Sequence, residues 1–149
     1  MHVLVATDGS EQALSAAQFL KSLADPGTIE KISVIAVVRP LAAVPFASES
    51  NTNWDDFSFR RLAEEATESL AKEFAGWGPE VTTHVWSGSP SAQIIRAAEE
   101  MDAGLIVLAS RSSAADTVLV GSVAHRVINH ATCPVLVVRP GKRPGRRKH

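Results

Sequence analysis

Two kinds of apolar spacing alternate along this chain. Short, nearly unbroken apolar runs lie at His2–Thr7, Ile32–Val38, Leu105–Leu108 and Val135–Val138. Such runs suit strands buried on both faces of a parallel sheet. Between them, apolar residues recur every three or four positions. Ala13, Ala16, Ala17, Leu20, Leu23 and Ala24 form one stripe, and Phe59, Leu62, Ala66, Leu70 and Phe74 a second. Ile94, Ile95, Ala97, Ala98 and Met101 form a third, and Val123, Ala124, Val127, Ile128 and Ala131 a fourth. Each stripe predicts one helix with its apolar side on a core. Val81–Trp86 instead alternates apolar and polar residues, as a half-exposed edge strand does. The order β-α-β-α-β-α-β-α-β predicts an α/β fold: a five-stranded parallel, doubly wound sheet of the Rossmann or flavodoxin-like kind, with helices on both faces.

The punctuation agrees with this order. Ser10 can cap the first helix, which Asp25-Pro26-Gly27 ends. Ser89 is a cap candidate with Pro90 at the favoured first helical position, and Pro134 keeps the fourth helix out of the last strand. Ser122 can cap that fourth helix. Residues 40–56 form an irregular stretch with two prolines and a polar Ser-Glu-Ser-Asn-Thr-Asn run. They read either as a lid or partner-facing loop or as a surface insertion.

Composition narrows the class. In 149 residues, 45% are apolar and 21% charged, as in an ordinary soluble globular domain. No run approaches the roughly 20 apolar residues of a membrane span, so no membrane association is expected. The single cysteine excludes an intrachain disulfide, and the acid at Asp8 breaks any resemblance to a secretion signal. A cytoplasmic location is the expectation. The charge is uneven. Six of the fifteen basic residues fall in Arg139–Lys148, leaving residues 1–138 with nine basic and sixteen acidic groups. The body is therefore acidic and no specific nucleic-acid binding is expected. A domain over residues 1–139 and a basic tail over 140–149 follow, the tail reading as a solvated, disordered end or a contact for anionic partners.

Chemistry concentrates after the fourth strand. The segment Ala109–Val120 is polar at its start and leads into Gly121-Ser122 and a helix, and such a helix start presents free N–H groups to an anion. In open parallel sheets, ligands bind beyond the carboxyl ends of the strands, where strand order reverses. If the first and fourth strands are neighbours, Asp8 and this loop meet at that crevice. Asp8-Gly9-Ser10 is equally a good turn and capping sequence. The five histidines lack metal-ligand spacing, and Cys133 beside Pro134 reads as a core thiol. His125 sits in the first turn of the fourth helix, where it reads as a solvated helix residue or a group near a phosphate. No G-x-S-x-G elbow occurs, and an enzyme is not the expectation.

Four pieces of the chain together resemble the universal stress protein family. They are Val3-Leu-Val-Ala-Thr-Asp-Gly-Ser10, Gly88-Ser-Pro90, Gly121-Ser-Val123 and Cys133-Pro-Val-Leu-Val-Val138. The resemblance implies strand order 3-2-1-4-5 and a homodimer that pairs the last strands, here Val135, Leu136, Val137 and Val138, as antiparallel edges. Part of the family binds ATP through a G-x2-G-x9-G-S/T loop, so ATP with magnesium is the implied cofactor. Here Ala109 and Ser112 stand in place of the two glycines, and eight residues, not nine, separate Ser112 from Gly121. Arg111 is the only cation of the loop and Asp116 its acid. By the same resemblance Thr7, Asp8, Val37 and Leu108 match positions around adenosine, and Ser122 and Val123 match phosphate contacts. Two functions are implied. One is a homodimeric regulatory or interaction module of the stress response without tightly bound nucleotide. The alternative is a switch that binds ATP or another adenine nucleotide between Asp8 and the Gly121-Ser122 helix start, with slow hydrolysis or phosphotransfer as a variant of it.

Overall fold

The computed structural model describes residues 1–40, 49–110 and 121–139, with residues 49–57 described as backbone only. Five strands and four helices alternate: β1 (His2–Ala6), α1 (Glu11–Leu23), β2 (Lys31–Val38), α2 (Glu49–Glu73), β3 (Glu80–Ser87), α3 (Pro90–Glu100), β4 (Leu105–Ala109), α4 (Ser122–His130) and β5 (Val135–Val138). One sheet holds all five strands in the order β3-β2-β1-β4-β5. Every pairing is parallel, with Val5 opposite Val34 on one side and Val107 on the other.

The pleat of β1 sorts side chains into two cores. Val3 and Val5 pack with Leu20, Leu70 and Phe74 beneath α1 and α2. Leu4 packs with Ile35, Ile94, Ile106 and Val127 beneath α3 and α4. Both sides of the central strands are thus dry, which is why their sequences are continuously apolar. β3 lies at one edge with its residues only half-buried or exposed, as the alternation in Val81–Trp86 predicts.

Several local expectations change. The irregular stretch 40–56 is partly helical, because α2 begins at Glu49; residues 41–48 lie outside the described set, as does the tail 140–149. Leu70 and Phe74 of its stripe enter the core, whereas Phe59 and Leu62 are exposed. A 25-residue helix is about 37 Å long, against about 26 Å for an eight-residue strand, so the front of α2 overshoots the sheet. Leu23 at the last turn of α1 and Ile128 on the shoulder of the α4 stripe are also exposed. Ser10 does cap α1, accepting from Ala13 N–H at 3.2 Å. Ser89 stands at the N-cap of α3 without a side-chain bond. Gly121, not Ser122, is the N-cap of α4, and no side chain caps that helix.

Candidate functional site

A cleft of about 860 Å³ opens at the carboxyl ends of β1, β2 and β4. It lies over the junction of β1 and β4, where the strand order reverses. Its floor is Ala6, Thr7, Val37, Leu108 and Ala109, and Ile94 of α3 and Val123 of α4 close one side. The overshooting front of α2 supplies the opposite wall through Phe59, Leu62, Ala63 and Ala66. Sequence reasoning missed that wall. Phe59 and Leu62 carry the helical period of a core face, and periodicity alone cannot say that this part of the helix runs past the sheet.

The polar edge of the cleft is built by the turn after β1. Thr7 N–H donates to Ile35 O at 2.9 Å, extending the β1–β2 ladder by one residue. Gly9 then adopts φ +83, a conformation open to glycine at little cost, and reverses the chain. Gly9 N–H donates to Thr7 Oγ1 and Ser10 N–H to Asp8 Oδ1, both at 3.0 Å. These bonds fix the Asp8 carboxylate at the rim, exposed to solvent. The turn and the ligand interpretation of Asp8 are therefore compatible, since Oδ1 accepts the turn bond while the carboxylate still lines the cleft.

Of the ten site residues anticipated, Thr7, Asp8, Val37, Leu108, Ala109 and Val123 converge on this one cleft. Gly121 and Ser122 form the adjoining start of α4, with Ser122 exposed. Arg111 and Ser112 lie outside the described residues. Among the described residues the cleft is lined by no histidine, lysine or cysteine, and its charged groups are Asp8, Glu65 and Arg39. His125 turns along its own helix, its Nε2 3.1 Å from Asn129 Nδ2. Cys133 is partly buried against the α3–α4 core, and burial pushes its thiol above the usual value. It is thus suited to packing and not to attack as a thiolate. Among the described residues no group of three or more His, Cys, Asp or Glu side chains could hold a metal ion. No helix of the described residues is long and apolar enough to cross a membrane.

The structure is thus a doubly wound α/β domain with an apolar, acid-edged cleft at the switch point of its parallel sheet. The chain belongs to the universal stress protein family, whose model matches residues 1–139. A universal stress protein of Methanocaldococcus jannaschii is 32% identical over 145 residues, covering 95% of this chain and 83% of that protein. Universal stress protein G of Escherichia coli O157:H7 is 32% identical over 130 residues, covering 87% and 89% of the two chains. Among solved structures, the universal stress protein of Archaeoglobus fulgidus in complex with dAMP is similar with a TM-score of 0.68. It shares 25% identity and covers 93% of this chain and 97% of that one.

Proposed function

We propose that this protein is a regulatory module of the stress response whose carboxyl-end cleft takes an adenine nucleoside or nucleotide. The observation that carries this reading is the convergence of Thr7, Asp8, Val37 and Leu108 on one cleft beside the start of α4. Val37 and Leu108 offer an apolar seat for a base. Asp8 offers a carboxylate that accepts hydrogen bonds from ribose hydroxyls. The first turn of α4 directs N–H groups toward a phosphate. The dAMP complex of the Archaeoglobus fulgidus relative supports an adenine ligand. Calorimetric titration of nucleotide-stripped protein with AMP tests it: micromolar binding that Asp8→Ala weakens is expected. No heat up to millimolar AMP, from protein shown to be folded, contradicts it.

The same reading makes the module a homodimer. β5 pairs with β4 on one side only among the described residues, and all four of its side chains are half-buried. An apolar edge strand of this kind calls for cover, and a second copy supplies it by antiparallel pairing. Sedimentation is expected to give a dimer that Val137→Lys splits into folded monomers.

A further inference from the structure

The charge of the cleft and the placement of its few polar groups restrict its ligand. Resting on the nucleoside-binding reading above, we propose that the cleft selects adenine ligands with one phosphate or none and disfavours nucleoside triphosphates. Asp8 and Glu65 line it against Arg39 alone among the described residues. Residues 111–120, which lead into α4, contain one cation, Arg111, and one acid, Asp116, and so add no net charge whatever conformation they take. The described lining thus sets two carboxylates against one guanidinium group. A polyanion entering such a cleft gains no net Coulomb attraction to offset the loss of its hydration.

Placement sharpens the argument. Arg39 follows β2, whereas the first turn of α4 lies beyond β4, with β1 between them. Two strand spacings put the ends of β2 and β4 about 10 Å apart. A phosphate seated at α4 is thus held by helix N–H groups carrying about half a positive charge, with Arg39 on the far side of the cleft. That is a seat for one phosphate. A second and third would extend past the turn, where no lysine lines the cleft among the described residues. The remaining lining, Val37, Leu108, Val123, Phe59 and Leu62, contacts a base and not a phosphate chain. The magnesium triphosphate that the family loop implies does not fit this set of groups, and among the described residues no acidic cluster stands ready to hold the metal.

The test is a calorimetric series with adenosine, AMP and ATP, the last with and without magnesium, on the full chain. Without magnesium, ATP is expected to bind roughly tenfold more weakly than AMP, with adenosine within about threefold of AMP. With magnesium, ATP still binds more weakly than AMP, because no described lining group holds its outer phosphates. Raising the salt narrows the gap between AMP and ATP, because screening weakens the repulsion. Glu65→Lys, on an exposed position of α2, narrows it as well by reversing one charge at the wall. Binding of ATP as tight as or tighter than AMP in the unaltered protein overturns the selectivity and leaves the nucleotide reading standing. Silence from all three ligands, with the fold intact, overturns that reading and the selectivity together.

Discussion

The two ends of the sheet solve opposite problems. Toward the amino ends of the strands, polar side chains join in an unbroken chain on the α3–α4 face. Met101 O can only accept, so His2 Nδ1–H donates to it at 3.0 Å, and His2 Nε2 shares a hydrogen bond with Ser33 Oγ at 2.7 Å. Ser33 Oγ is in turn hydrogen-bonded to Thr82 Oγ1 at 3.0 Å, and Thr82 Oγ1 to His84 Nε2, also at 3.0 Å. Three strands and the end of α3 are tied by one continuous chain of hydrogen bonds. Among the described residues no buried side-chain nitrogen or oxygen lacks a partner. At the carboxyl ends, the strands finish in small and apolar residues around an open cleft, and the mouth keeps Phe59 and Leu62 exposed. One end spends its polar groups on holding the sheet. The other leaves its surface for a ligand. Stability and binding are therefore expected to respond to different residues.

Ser33→Ala breaks that division most sharply. Ser33 is 1% exposed, and its loss removes the Oγ that bonds both His2 Nε2 and Thr82 Oγ1. A cost of about 1–3 kcal/mol in denaturant unfolding is expected, with AMP affinity unchanged. The converse lesion is Phe59→Ala combined with Leu62→Ala. These side chains are 47% and 59% exposed, so unfolding should move by less than about 0.5 kcal/mol. Adenosine binding should nonetheless weaken by roughly tenfold, as apolar contact with the base is removed.

The smallest effect is in pH. His84 is held below the ordinary imidazole value of 6.5, first by partial burial, then by Lys31 and His2. The folded protein therefore binds this proton less readily than the unfolded chain. As pH falls below 6.5, the unfolded chain takes up the proton first and stability declines; above 6.5 the contribution is fully present. His84→Gln is expected to flatten this slope when unfolding is compared at about pH 5 and about pH 7.5.

The sequence made the fold legible and the cleft half legible, for separable reasons. Strand runs and helical stripes are local signals, so β1 to β5 and α1 to α4 appear in the predicted order. The strand order came from the four motifs that resemble a family, since periodicity does not say which strand lies beside which. Topology pointed to Asp8 and the loop after β4, and the family resemblance added Thr7, Val37 and Leu108; all four named residues line the one cleft. The α2 wall was not found, because its residues look like core; only the helix length measured against the sheet reveals that Phe59 and Leu62 pass beyond it. Ser122 failed as a cap for a smaller reason. Gly121 can take the extended cap conformation itself, at φ −57 and ψ 158, and the helix begins one residue earlier than a serine cap requires.

The most direct test is to follow the backbone amides of the isotopically labelled protein by NMR during a titration with AMP. Saturable shifts at Thr7, Gly9, Val37, Leu108 and Val123, with Ser33, Thr82 and His84 unmoved, are the predicted result. Shifts centred on the amino-end chain of side chains, or none anywhere at millimolar AMP, would contradict the assignment of the carboxyl-end cleft as the ligand site.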